Sequence, residues 1–272
     1  MAVVKALSPA KINLMLRVTG QRADGYHELQ TCFKLLNWGD DMHFDFIDAL
    51  THSEVDVKGF DDIPIQDNLI YQASQLLQPH IKKHQSVSID VTKKIPQGGG
   101  LGGGSSNAAT TLKVLNKAWD CQLTQRKLMQ LGLQLGADVP VFVLAQDALG
   151  TGVGEALMPV ALPQHHVLLL FPECSIPTVD VFKNKGLKRD QKPIPSQEVA
   201  EARHWINDCL PVVLANYPRV NHVYQALSQY FHVYLSGTGS TLFILFDDLD
   251  AARKAKKMAQ TVCSCHLVPA LG

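Results

Sequence analysis

Apolar and polar residues alternate over 10–18, 33–36 and 42–47, the period of strands with one buried face. Between the first two, Ala23, Asp24 and Gly25 read as a turn that presents Tyr26 and His27 at its exit. From 68 to 77 the period becomes helical, with Leu69, Ala73, Leu76 and Leu77 on one stripe. Over 86–92, Val87, Ile89 and Val91 restore the strand period. Six glycines then fall within the seven residues 98–104. Each costs about 1 kcal/mol in a helix interior relative to alanine, so this stretch is a loop. Behind it Ala108, Leu112, Leu115 and Trp119 have helical spacing, and Ser105, Ser106 and Asn107 are favourable helix-start residues. A further helix is predicted from an N-cap at Thr124, with Leu128, Leu131 and Leu135 on one face and Gly136 closing it. Pro140 disfavours helical backbone at Val139, which puts Asp138 in a sharp turn just past that helix.

Beyond residue 155 the texture changes. Residues 165–171 read as a buried strand and 173–195 as a loop containing Pro and Lys. Helices are expected over 198–214 and 221–230, strand–turn–strand over 233–246, and a charged amphipathic helix over 250–261. A boundary near 155 therefore separates an N-terminal domain, 1–155, from a C-terminal one, 156–272. The length of 272 residues fits one large domain or two modest ones at roughly 150 residues per domain.

The hydrophobic fraction of 46% excludes a disordered chain. Lys and Arg number 25 and so do Asp and Glu, which argues for a small-molecule partner and against nucleic acid or an anionic membrane. No apolar run approaches the roughly 20 residues that span a bilayer, and no signal-peptide pattern is visible. The six cysteines are scattered and read as thiols in a reducing compartment, so a cytoplasmic protein is expected. No histidine pair has metal-ligand spacing, and no metal site is assigned to protein residues.

The glycine loop admits several readings. Gly98, Gly100 and Gly103 satisfy the dinucleotide fingerprint, but no second strand ending in an acidic residue follows the helix. A Walker A loop needs a lysine after its last glycine, and Gly104 is followed by Ser105. A plain flexible linker would lack the apolar helix directly behind it. What remains is a loop whose backbone N–H groups and helix N-terminus cradle phosphate, with Ser105 and Ser106 able to offer hydroxyls to phosphate or Mg2+.

The segment PQGGGLGGGSSNAA (96–109) resembles the phosphate-binding motif of the GHMP kinases, the family of galactokinase, homoserine kinase and mevalonate kinase. PAKINL (9–14), RADGYHEL (22–29), LGADVPVF (135–142) and SGTGS (236–240) follow in order, and together they resemble the branch whose substrate carries a cytidyl group. The resemblance implies a two-domain α+β fold with an N-terminal part like ribosomal protein S5 domain 2, a ferredoxin-like C-terminal part and an active site in the cleft between them. It also implies transfer of the ATP γ-phosphate, with Mg2+, to a hydroxyl of the cytidyl substrate. ATP would lie against Pro96, Gly98, Gly99, Gly100, Leu101, Gly102, Gly103, Gly104, Ser105 and Ser106.

The resemblance makes Asp138 the base that orients and deprotonates the hydroxyl; otherwise its carboxylate satisfies backbone N–H groups in its turn. It makes Lys11 the partner of Asp138 and Asn13 a substrate contact, whereas alternation alone allows Lys11 to face outward. Tyr26 and His27 would recognise cytosine by stacking and hydrogen bonding, and Phe182, with Thr178 in the same loop, would form the other wall; Phe182 also reads as a core residue. Gly237, Thr238 and Gly239 match a third family motif that closes on phosphates or substrate, and equally a hairpin turn. Asn68 reads as a nucleotide contact or a helix N-cap. Lys183, Lys185, Lys188, Arg189 and Lys192 form a basic stretch, either a solvated loop or an attractor of a phosphate-rich substrate. A base-free acceptor, as in other GHMP kinases, or a non-catalytic binding module are the competing readings.

Overall fold

The computed structural model describes residues 2–60 and 62–270. In chain order the elements are β1 (Ala2–Gln21), β2 (His27–Asp48), β3 (Val55–Lys58), α1 (Leu69–Leu77), β4 (Gln85–Thr92), α2 (Gly103–Ala118), α3 (Gln125–Leu133), α4 (Val139–Leu144), β5 (Ala148–Gly152), β6 (Ala156–Pro159), β7 (His166–Phe171), α5 (Thr178–Lys183), α6 (Leu210–Asn216), α7 (Pro218–Ser228), β8 (Tyr234–Leu235), β9 (Leu242–Phe246), α8 (Leu249–Ala259) and β10 (Ser264–Val268). They gather into two compact units, each assembled from several stretches of chain. One takes residues up to 10 with 38–96 and 102–146; the other takes 11–37, 97–101 and the chain from 147 onward.

In the first unit the second half of β2 runs antiparallel to β4, with Phe44 opposite Ile89, and β3 lies parallel on the other edge of β4, with Val57 opposite Ile89. Helix α1 packs on α2, and both α2 and α3 pack on α4. Phe44, Ile89, Leu112, Leu115, Trp119 and Phe142 are buried in this unit. The Trp119 indole N–H donates to the Gln85 carbonyl at 2.8 Å, satisfying the one polar atom of a buried ring.

Several local expectations shift here. The buried face of α1 is Ile70, Ala73, Ser74 and Leu77, one position round from the predicted stripe. Ser74 is admitted because its hydroxyl donates to the Tyr71 carbonyl at 2.6 Å. Helix α2 begins at Gly103, so Ser105 and Ser106 lie inside its first turn rather than ahead of it; Gly102, at φ +72°, supplies the left-handed backbone that starts it. Helix α3 ends at Leu133, and Gly136 continues a right-handed turn with its N–H on the Gly132 carbonyl at 3.2 Å. Val139 is helical after all. Asp138 stands at the N-terminus of α4 with Pro140 in the first turn, where a missing N–H removes no helical bond.

In the second unit the first half of β2 pairs antiparallel with β5, with Thr31 opposite Gly150, and β5 pairs with β6. A four-stranded antiparallel sheet has the order β10-β7-β9-β8, and α8 packs on β7, β9 and β10. Its core includes Leu168, Leu170, Val213, Val223, Leu227, Leu242, Ile244 and Ala255. The helix expected over 198–214 is confined to α6, because Pro211 lacks an N–H and is accommodated in the first turn of a helix, not its interior. The expected loop over 173–195 contains the short helix α5. From Lys11 to Leu16, β1 is buried at every position, not on alternate ones.

Candidate functional site

The glycine loop is shaped by close backbone approach. Gly98, Gly100 and Gly102 adopt φ +66°, +74° and +72°, a region that residues with a Cβ avoid. A Cβ on Gly100 would lie 2.2 Å from the Ser236 carbonyl oxygen and 2.9 Å from that of Gly239, so only glycine fits. The Ser236 hydroxyl donates to the Gly100 carbonyl at 2.9 Å, and Thr241 N–H donates to the Gly99 carbonyl at 3.2 Å. Within the second unit, then, the loop and the 236–241 turn form one seat. Gly237 and Gly239 also take positive φ there, and the Thr238 hydroxyl lies 3.1 Å from that of Thr178.

Lys11 closes this seat from the β1 side. Its ammonium donates to the Gly100 carbonyl at 2.9 Å and to Asn13 Oδ1 at 2.7 Å, and stands 5.7 Å from the centre of the Phe33 ring. Asn13 Nδ2 donates to the Thr31 hydroxyl at 2.8 Å, which donates to the Met15 carbonyl at 2.8 Å. Lys11 and Asn13 are each 3% exposed, so the outward-facing lysine is excluded. Asn207, which no sequence pattern marked, holds the turn by donating to the Leu235 and Gly237 carbonyls at 2.9 and 2.8 Å.

In the first unit the first intrahelical bond of α2 runs from Ser106 N–H to the Gly102 carbonyl at 2.8 Å. The N–H groups of Gly103, Gly104 and Ser105 therefore have no partner inside the helix, and the positive end of the helix dipole lies with them. The two serines part company. Ser106 is fully buried and its hydroxyl accepts from Ser8 at 2.8 Å, while Ser105 is half-buried. Asp40, also unmarked by the sequence and fully buried, anchors this region. It accepts from Lys94 N–H at 2.7 Å, Ile95 N–H at 2.9 Å and Asn107 Nδ2 at 3.0 Å, and pairs with Lys93. One carboxylate thus ties the strand end before the loop to the helix after it.

Asp138 is half-buried, and its side chain does not cap α4. A Cβ on Gly136, two residues earlier, would come within 3.8 Å of Ser105 Oγ, which brings this turn beside the first turn of α2. Asn68 caps α1, its Oδ1 accepting from Ile70 N–H at 2.9 Å. The next residue, Leu69, lies 3.4 Å from where a Gly104 Cβ would be.

His27 and Phe182 come together in the second unit, their rings stacked with centres 4.9 Å apart and planes 28° from parallel. Phe182 also packs on the unit's core. Tyr26 is 64% exposed, an aromatic ring offered to solvent. Burial, and then the neighbouring Arg189 charge, lower the His27 pKa from its ordinary value.

Two family models, the GHMP kinases N terminal domain and the GHMP kinases C terminal, match residues 68–146 and 195–265. The chain is 45% identical over 259 residues to the 4-diphosphocytidyl-2-C-methyl-D-erythritol kinase of Marinomonas sp., covering 93% of this chain and 83% of that one. It is 40% identical to the enzyme of the same name from Acinetobacter baumannii, over 99% and 96% of the two chains. A crystal structure of 4-(cytidine 5'-diphospho)-2C-methyl-D-erythritol kinase superposes with a TM-score of 0.84 at 30% identity, over 99% of this chain and all of that one. The chain belongs to the GHMP kinases.

It has their two-domain α+β fold and is a small-molecule kinase that takes its phosphoryl group from ATP. The N–H groups at the α2 N-terminus that have no partner inside the helix suit the phosphates of a nucleotide. Mg2+ takes hard oxygen ligands, commonly one or two carboxylates together with substrate phosphates. The Ser105 hydroxyl, and the Asp138 carboxylate two residues on from Gly136, are hard oxygen donors of that kind. Among the described residues no helix is long and apolar enough to cross a membrane.

Proposed function

We propose that this kinase transfers the γ-phosphoryl group of ATP to the 2-hydroxyl of 4-diphosphocytidyl-2-C-methyl-D-erythritol, giving the 2-phosphate and ADP in non-mevalonate isoprenoid precursor synthesis. One observation carries the phosphoryl-transfer reading: a glycine loop locked at Gly100 by Lys11 and Ser236 leads directly into a helix whose first N–H groups have no partner inside it. The named relatives supply the acceptor.

In this reading residues 1–155 carry the nucleotide and 156–272 complete the substrate site. Pro96 and residues 98–105 receive the ATP phosphates; Ser106 acts by fixing the first turn of α2, because its N–H bonds the Gly102 carbonyl and its hydroxyl accepts from Ser8. Asn68 acts by setting α1 against Gly104. Ser105 and Asp138 would hold the Mg2+ that accompanies ATP, which would supply charge neutralisation on the phosphates. Asp138 orients the 2-hydroxyl and takes its proton as the new O–P bond forms and the bond to the β-phosphate oxygen breaks. Lys11 sets positive charge beside the transferring group and Asn13 holds the acceptor. Tyr26 and Phe182 supply the stacking faces for cytosine and His27 a hydrogen bond. Thr178, Gly237, Thr238 and Gly239 close on the substrate. The partners are small molecules, with neither nucleic acid nor membrane, and the compartment is the cytoplasm.

The test is ADP release from ATP and Mg2+ with the cytidyl compound, mevalonate and homoserine in parallel. Turnover with the cytidyl compound alone is expected. Turnover with another acceptor would keep the loop and Asp138 and remove Tyr26, His27 and Phe182 from recognition.

A further inference from the structure

Arg189 lies in the basic stretch that reads in sequence as a solvated loop or an attractor of a phosphate-rich substrate, yet it is half-buried and four of its N–H donors are spent. Its Nε–H donates to His27 Nε2 at 3.0 Å. Its Nη1 donates to the Leu187 carbonyl at 2.8 Å, and its Nη2 to those of Phe182 and Asn184 at 2.7 and 2.9 Å. Guanidinium has donors and no acceptor and stays protonated. The nitrogen it addresses must therefore carry a lone pair, which makes His27 neutral with its proton on Nδ1. Among the described residues Nδ1 has no hydrogen-bond partner. The same guanidinium grips the backbone of the residue whose ring stacks on His27.

We propose that Arg189 is a positioning residue of the cytidyl slot: it fixes His27 as the Nδ1–H tautomer, a donor toward the pyrimidine edge, and ties that ring to the Phe182 wall. The inference rests on the substrate reading above for what the slot holds, and on the hydrogen-bond geometry alone for the tautomer. The direction of the His27 pKa agrees with a ring kept neutral. Lysine cannot replace the fork, since its three donors diverge from a single atom and cannot span acceptors on both walls.

The test uses the full chain labelled with 15N-histidine, with the His27 signals assigned from their loss in His27→Gln. In the unsubstituted protein Nδ1 is expected protonated and Nε2 bare; in Arg189→Lys the two tautomers should mix. In steady-state assays Arg189→Lys should raise KM for the cytidyl substrate about tenfold, the loss of roughly one hydrogen bond, with kcat and KM for ATP within about twofold. Added to His27→Gln, the substitution should change KM for the cytidyl substrate by less than about twofold. A proton on Nε2 in the unsubstituted protein overturns the proposal. So does a rise in KM for ATP in step with that for the substrate, which would mark Arg189 as a general prop, or a full second penalty in the double variant. If the chain turns over a base-free acceptor instead, the substrate reading fails, while the tautomer experiment, done without substrate, still decides what Arg189 does to His27.

Discussion

Asp138 and Lys11 show what a single side chain owes to its backbone. Asp138 stands at the N-terminus of α4, and its side chain does not cap that helix. Asp138→Asn keeps the shape and removes the base of the proposed mechanism, and turnover should fall about 10²–10⁴-fold with ATP binding retained. Equilibrium titration with a fluorescent ATP analogue beside a kcat measurement checks both halves, and near-normal turnover would remove Asp138 from the chemistry. Tyr26→Ala and Phe182→Ala should each raise KM for the cytidyl substrate about tenfold or more while KM for ATP holds, as expected from stacking worth about 1–3 kcal/mol per base. Saturation of both variants at ordinary substrate concentration would mean the slot lies elsewhere. The motif around Lys11 was legible in the sequence. The burial of Lys11 was not, because alternation says which residues share a face of a strand and is silent on whether that face is covered.

At the scale of elements, the glycine loop and the helix behind it were readable because both are local: glycine density forbids regular structure, and capping preferences act within a few residues. Gly100→Ala joins a φ of +74° to a clash with the Ser236 carbonyl, and no flexible side chain is there to give way. We expect at least a hundredfold loss in kcat/KM and a lowered melting temperature; an unchanged variant would refute the tight seat between loop and turn. Asp248 is a contrasting case. It caps α8 by accepting from Ala251 N–H at 2.7 Å, so Asp248→Ala should cost about 1 kcal/mol in urea unfolding and leave kcat/KM unchanged. The misread elements have local causes too. The helix expected over 198–214 overran Pro211, and the start of α2 moved to Gly103 because a left-handed Gly102 serves where a serine cap was expected.

For the molecule as a whole, all six cysteines are free. Cys32 and Cys209 are fully buried, and burial pushes both thiols up to about 12. A thiol reagent at pH 8 should leave these two unmodified in the native protein and reach all six once it is unfolded. Fast modification of either in the native state would show that the second unit opens more readily than its packing implies. The sequence by itself determined the family and the glycine loop with the helix behind it, since these rest on contiguous motifs and on backbone preferences a few residues long. Only the tertiary structure decided that Lys11 is buried on Gly100, that Asp40 ties both ends of the loop and that Arg189 grips His27 across 162 positions of chain. A polar side chain far from its partner in sequence leaves no periodic trace, and its hydrogen bond exists only once folding has excluded the water that would otherwise satisfy it.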